Sequence, residues 1–185
     1  FNGANKIDMF AFFPAQSFGM ALTTFVGQNI GAGKMHRVKE GLRATMLMSV
    51  LCGIGAMVLV LTCGPNMMHL FSQEAAVVEA GMDYLRPVMY CYLLFAIMNT
   101  VLSVLRGAGD MVFPMITSLL SLWIIRLPMA YLFSYWFGKE YIFFSYGGGW
   151  LIGMTMAIIY YFTGRWKKKA VVSKQSEEGL QEKYE

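Results

Sequence analysis

Histidine, cysteine and charge are all scarce in this sequence, and each shortage closes off a class of function. Only 14% of the 185 residues are charged, 2 are histidine and 3 are cysteine. His36 sits among loop charges and His69 near the end of an apolar segment. Neither has a second histidine or a carboxylate at ligand spacing, which argues against a metal site. Cys52, Cys63 and Cys91 fall in apolar segments at spacings that suit neither zinc nor a disulfide framework, and read as buried small hydrophobes. No Ser-His-Asp or Cys-His arrangement and no pair of membrane-embedded acids is visible, so catalysis has no machinery here and the chain does not read as an enzyme. The run GAGK at 31–34 is no phosphate-binding loop: position 28 is Gln where that motif needs Gly, and Met35 stands where it needs Ser or Thr. A signal-peptide pattern is also missing. The chain opens with Phe1 rather than Met, and it reads as a piece of a longer protein.

Apolar residues are what the sequence has in plenty, at 57% with a mean hydropathy of +0.50. Those values fit a polytopic membrane protein, with the lipid bilayer as its principal partner. Five segments are long and apolar enough to span: 9–31, 44–63, 82–104, 111–137 and 141–163. The fold class is therefore an all-α integral membrane bundle over residues 1–169, followed by a polar tail, 170–185, expected to be disordered and cytoplasmic. The net charge of +4 does not indicate nucleic acid, because the basic residues cluster at the ends of spans. Lys34, Arg37, Lys39 and Arg43 face one acid, Glu40, in the first loop. The second connection holds Glu74 and Glu79 without a Lys or Arg before Gly81, and Arg165, Lys167, Lys168 and Lys169 follow the fifth span. Alternate connections are basic, which places the first loop, the third loop and the C-terminus in the cytoplasm. Tyr and Trp gather at 135–150 and at 160–166, as two interfacial belts would.

Polar residues within the spans are ordered rather than scattered. At ~100° per residue, Gln16, Met20, Thr23, Gly27 and Gly31 share one helix face. The loop triplets Gly31-Ala32-Gly33 and Gly107-Ala108-Gly109 stand 76 residues apart. That offset carries Gln16, Met20, Thr23 and Gly27 onto Tyr92, Ala96, Asn99 and Ser103, a second small and polar stripe. A parallel repeat of this kind suits a secondary transporter with its site near the midplane. Two readings stand level: a cavity lined by Gln16, Thr23, Tyr92 and Asn99, or close packing through Gly27 and Gly31. Pro14 and Pro128 are expected to kink their helices, whereas Pro87 and Pro114 lie close to first turns. Arg126 is the one charge deep in a span, and it reads as structural, held by carbonyls freed around Pro128. No acid is read at matching depth. Gly147-Gly148-Gly149 with Gly153 predicts close helix approach, and 16 Met suit a surface that re-packs around varied ligands.

FPAQSFGMALTTFVGQNIGAGK at 13–34, LRGAGD at 105–110 and IRLPMAYL at 125–132 together resemble the multidrug and toxic compound extrusion (MATE) family, in its order and spacing. The resemblance implies a two-lobed bundle of six plus six helices, of which this chain supplies the last five. It implies alternating-access export of organic cations and amphipathic drugs across the cell membrane, in exchange for Na⁺ or H⁺. It carries onto this chain Gln16, the pair Gln28-Asn29, Arg126 and Pro128, with no cofactor beyond the coupling ion. Some members place a coupling carboxylate within the helix matching 82–104, and its middle here, 90–99, has no acid. The coupling site is therefore expected in an N-terminal half that would be this chain's partner. The alternative function is export of a lipid-linked glycan precursor, whose pyrophosphate would need several cationic groups in the cavity.

Overall fold

In a bilayer, a chain this apolar must satisfy its backbone groups internally, and the architecture follows from that. The computed structural model describes residues 2–71, 73–136, 138–168 and 170, and among them every regular element is helical. The elements are α1 (Asn2–Gly31), α2 (Met35–His69), α3 (Ala75–Gly107), α4 (Val112–Leu119), a π-helical segment (Leu120–Ile125), α5 (Arg126–Trp136), a 3₁₀ turn (Lys139–Phe143) and α6 (Phe144–Thr163). The α4–π–α5 run is one continuous span and the 3₁₀ turn leads into α6, giving five helices apolar and long enough to cross a membrane. This is the expected all-α bundle. The tail beyond Ala170 lies outside the described residues, as do Phe1, Ser72, Phe137 and Lys169.

The helices outrun the apolar segments, which has consequences for the prolines. α2 continues past Cys63 through Gly64-Pro65 to His69, and Met82 of α3 lies against Gly64. Since α3 starts at Ala75 and not near Met82, Pro87 lies in a helix interior and not close to a first turn. Pro114 does occupy the first turn of α4. Ahead of Pro128 the helix widens: the Arg126 N–H bonds to the Ser121 carbonyl, five residues back, in a π-type turn. That register change precedes the carbonyl of Ile124, which the proline ring would crowd in a regular α-turn. The disturbance expected around Pro128 takes the form of a π segment.

The two GAG triplets fold alike. Ala32 N–H bonds Gln28 O at 3.0 Å, Gly33 N–H bonds Ile30 O at 2.9 Å and Lys34 N–H bonds Asn29 O at 2.8 Å. Ala108, Gly109 and Asp110 repeat that pattern with Val104, Arg106 and Leu105, each at 3.0 Å. Gly33 (φ +71°) and Gly109 (φ +83°) take the left-handed conformation that closes such a helix end. The internal repeat is thus written in backbone hydrogen bonds.

α3 is the hub. Of its most apolar stretch 78% is buried, against 11% for α2, so α3 is the helix the others enclose. Contacts between α1 and α3 join residues separated by 76, 80 and 84 positions, and this nearly constant offset means that the two run parallel. Cys91 meets Gly147 and Met98 meets Gly153 in the same step, so α6 also runs parallel to α3. α2 is antiparallel to α3, with Gly53 on Leu93 and Gly64 on Met82. The α4–α5 span is antiparallel to α6 through Phe113–Tyr160 and Arg126–Tyr146. The outer surface stays apolar, with Leu47, Met48, Leu51, Trp123, Ile124 and Phe162 exposed, as a helix bundle immersed in lipid requires.

Candidate functional site: a cavity between four helices

Close packing forms the walls. Ser121 Oγ donates to Gly149 O at 2.6 Å, joining the π segment to α6. A Cβ on Gly149 would stand 2.9 Å from the Ser121 carbonyl, and one on Gly107 would stand 2.5 Å from the Thr23 carbonyl. Both glycines are therefore required for approach, Gly149 in α6 as its small-residue pattern predicts and Gly107 at the end of α3. On the α1–α3 seam Gly107 is joined by Gly19 of α1, which lies under Asn99 and Ser103. Gly31 meets nothing, whereas a Cβ on Gly27 would stand 3.4 Å from the Gly107 carbonyl, so of that pair Gly27 alone lies against α3. The reason is register. Ala15, Gly19, Leu22, Val26 and Asn29 form the buried face of α1, and the side with Met20 and Gly31 turns outward.

Between these seams lies a cavity of about 560 Å³, lined from α1, α3, the π segment with its flanks, and α6. Its walls are aromatic. Phe12 stacks on Phe95 at 5.2 Å, and Trp150 lies 5.2 Å from Tyr92 and 5.3 Å from Phe95. Polar groups interrupt these walls, among them Asp8, Gln16, Asn99, Arg106 and Arg126. Asp8 Oδ2 accepts from Tyr84 OH at 3.2 Å, and the Tyr92 hydroxyl is a second group interacting with this carboxylate. The Arg126 guanidinium lies 3.5 Å over the ring of Tyr146, which is itself 6.3 Å from Tyr84. Arg106 makes long contacts to Asn99 Oδ1 at 3.4 Å and Ser103 Oγ at 3.5 Å. An aromatic box with one carboxylate and guanidinium groups suits an amphipathic organic molecule.

The structure sorts the candidate residues. Gln16, Tyr92 and Asn99 line this cavity together with Arg126. Asn99 serves both readings at once, since its Nδ2 donates to the Ala15 carbonyl at 2.9 Å while the residue also borders the cavity. Thr23 does not line it. Its hydroxyl donates to Gly19 O at 2.9 Å and Ser103 O at 3.2 Å within the packing seam. Asn29 is buried and bonds Phe25 O at 2.8 Å, whereas Gln28 is exposed. Pro14 is half-buried inside α1 and Pro128 is exposed near the start of α5. The Arg126 guanidinium stacks on Tyr146 and makes no side-chain hydrogen bond to a carbonyl among the described residues. Of the cysteines only Cys91 is buried; Cys52 is half-buried and Cys63 exposed. Tyr146 and Trp150, expected in an interfacial belt, face the cavity instead, and Trp166 is buried with its indole N–H on Tyr161 O at 3.0 Å.

Asp8 is the functional candidate that the hydropathy pattern conceals: an acid does line the cavity that Arg126 borders. Drawing the first span from Met9 puts Asp8 outside it, but α1 begins at Asn2 and brings Asp8 into the same cavity. A signal for it exists: Asp8, Phe12 and Gln16 follow one another at intervals of four, extending the Gln16 stripe towards the N-terminus. The offset of 76 residues also pairs Asp8 with Tyr84, the residue to which it is bonded.

Comparison with known proteins agrees with this architecture. The MatE family matches residues 1–132. The chain is 30% identical to "Probable multidrug resistance protein YpnP" of Bacillus subtilis, over 90% of this chain and 38% of that protein. It is 25% identical to "Probable multidrug resistance protein NorM" of Thermotoga maritima, over 92% of this chain and 37% of that one. With Multidrug and toxin extrusion protein 1 of Homo sapiens it shares 24% identity over 61% of this chain and 20% of the human protein. A solved structure of a multidrug resistance MATE family transporter of the MOP superfamily, in an inward-facing conformation, superposes with a TM-score of 0.75 at 16% identity. It covers 94% of this chain and 40% of that chain. The chain thus spans well under half the length of these proteins, and over that stretch it shares the helical fold of the solved transporter. With more than two thirds of its residues inside the matched region, the chain belongs to the MatE family.

Proposed function

We propose that this chain forms the C-terminal, five-helix part of a secondary active multidrug efflux transporter, which exports organic cations and amphipathic compounds by alternating access. The observation that carries the reading is the aromatic cavity with Asp8 inside it, its carboxylate bonded to Tyr84 and flanked by Tyr92. An ammonium or phosphonium group among aromatic faces gains from both the carboxylate and the ring quadrupoles. Asp8 is then the counter-charge for the ligand. The exchanged ion, Na⁺ or H⁺, uses an acid in the part of the transporter that precedes this chain. Export of a lipid-linked glycan precursor is not favoured, since the named relatives are multidrug proteins.

The expected result is that Asp8→Asn lowers binding of tetraphenylphosphonium by about tenfold or more while membrane abundance stays near the parent's, because the amide keeps the shape and the Tyr84 bond. Unchanged phosphonium affinity in Asp8→Asn would remove the basis for the reading.

The basic connections support an orientation in the cell membrane with Gly3 and His69 outside and Lys39, Asp110 and Lys168 inside. In a background lacking native Cys, His69→Cys in intact cells should react with a membrane-impermeant maleimide, and Lys39→Cys only after permeabilisation. The reverse pattern would invert the whole layout.

A further inference from the structure

Two basic stretches meet at one end of the bundle. α2 runs antiparallel to α3 and α6 parallel to it, so the start of α2 lies at the same end as the finish of α6. The first brings Lys34, Arg37, Lys39 and Arg43, the second Arg165, Lys167 and Lys168. All of these are exposed, and among the described residues none makes an ion pair. Glu40 is the one acid within 34–43 and 165–168. Membrane topology asks only that such cations lie on one side of the bilayer. The fold does more, because it ties two of them to one aromatic pair. Gly164 (φ +68°) ends α6, and Trp166 just beyond it is buried, stacked on Tyr161 at 5.5 Å with its indole N–H on the Tyr161 carbonyl at 3.0 Å. Lys167 Nζ stands 5.7 Å over that indole. From α2, Arg43 comes near enough for its charge to act on the Tyr161 phenol.

From Arg43 into the span the surface turns apolar. At ~100° per residue, Leu47, Leu51, Ile54 and Val58 continue the face of α2 that carries Arg43, and all four are exposed. The stripe runs ~22 Å along the helix, enough to accompany an acyl chain through one leaflet of a ~30 Å hydrocarbon core. We propose that this end of the bundle binds an anionic phospholipid, its phosphate taken by Arg43 and Lys167 beside the Tyr161–Trp166 pair and one acyl chain laid along Leu47, Leu51 and Ile54. A guanidinium fork bonds a phosphate at two points and an ammonium adds a point charge. Tyr and Trp belong at the level of the headgroups, and basic pockets between helices at a membrane surface take acidic lipid heads. The apolar track selects lipid over a free phosphate, which has no use for it. The site is independent of the aromatic cavity and of which side of the membrane is cytoplasmic.

The test reads the stripe directly. In a cysteine-free background, Leu47→Cys carries a bimane label, and the full transporter is held in phosphatidylcholine nanodiscs containing lipids brominated on their acyl chains. Bromine quenches bimane on contact, which gives the affinity of each lipid relative to phosphatidylcholine. At Leu47→Cys, brominated phosphatidylglycerol should bind about tenfold more tightly than brominated phosphatidylcholine, as two nearby cations supply. At Leu132→Cys, exposed on α5 towards the opposite end, the two should agree within about twofold. Arg43→Gln combined with Lys167→Gln should reduce the preference to about twofold or less. Lys34→Gln combined with Arg37→Gln removes as much charge and should leave most of the preference in place. Equal binding of the two lipids at Leu47→Cys overturns the proposal and needs no further variant to be folded. An equal loss in both double variants also overturns it, since a diffuse field and not a site would then attract the lipid. Removal of the preference by millimolar glycerol 3-phosphate would assign the cations to free phosphate. A preference that emerges only when residues 171–185 are deleted would give the surface to that tail, with its Glu177, Glu178, Glu182 and Glu185. Either result sinks the lipid site.

Discussion

Replacing Gly149 by valine is expected to strip this protein from the membrane, to about a tenth of the parent's abundance or less. Gly149 is buried in α6, and a Cβ there would stand 2.9 Å from the carbonyl oxygen of Ser121. That oxygen cannot yield cheaply, because it accepts the Arg126 N–H that defines the π segment. The Gly149 carbonyl in turn accepts the Ser121 hydroxyl at 2.6 Å, so separating the helices also strands a buried hydroxyl. Overpacking of this kind costs about 1–3 kcal/mol per site, and the lost hydrogen bond about 1–3 more, which together approach the whole stability of a small domain. Gly148→Ala is the control. A Cβ there meets only the end of the Met129 side chain, which can swing away, so abundance should stay within about twofold of the parent. Equal abundance of Gly149→Val and Gly148→Ala, measured by quantitative blotting of membranes, would mean that the π segment and α6 are not joined as described.

The second large effect is in chemical reactivity. In a cysteine-free background, Gln16→Cys and Asn99→Cys should react with a small water-soluble thiosulfonate, and Thr23→Cys, Phe18→Cys and Leu94→Cys should not. Gln16 and Asn99 border the cavity, whereas Thr23 sits in the seam with both its hydrogen bonds directed at backbone carbonyls. The contrast between Gln16 and Thr23 is the sharper one, because they share a helix and face neighbouring directions, and only the tertiary contacts separate them. Asn99→Cys should react more slowly than Gln16→Cys, since Asn99 is only 3% exposed. A lipophilic cation held in the cavity should protect both. If Gln16→Cys is as inert as Thr23→Cys in every transport condition, water does not reach the cavity and the stripes are packing seams.

Most of the scaffold is legible in the amino-acid sequence. Length and apolar content specify five spanning helices because a bilayer leaves helices as the way for such segments to satisfy their backbone. The glycine triplets specify two equivalent helix ends, since a left-handed residue is needed where each helix closes, and Gly33 and Gly109 provide it. The repeat they define carries Gln16 to Tyr92 and implies the parallel sense of α1 and α3. Helix limits are less legible. Apolarity ends where lipid ends, but hydrogen bonding does not, so α2 runs through Pro65 and α3 begins at Ala75. The same difference at the start of α1 is what hides Asp8.

Sequence by itself determined the class of this protein: a membrane-embedded helical bundle with an internal parallel repeat, whose order of motifs places it in its family. Those properties are encoded locally, by hydropathy, glycine conformation and spacing along the chain. Only the tertiary structure decided which helix is central and which polar residues meet. α3 lies at the centre because α1, α2 and α6 all bury their small residues against it, a fact no single helix pattern contains. Asp8 and Arg126 are more than a hundred residues apart, and they border the same cavity because α1 and the α4–α5 span are both assembled around that hub. Thr23 and Gln16 look alike as positions on one stripe. Packing at Gly19 and Gly107 turned the first into a seam and left the second facing open space, because side-chain exposure depends on what the neighbouring helix places opposite.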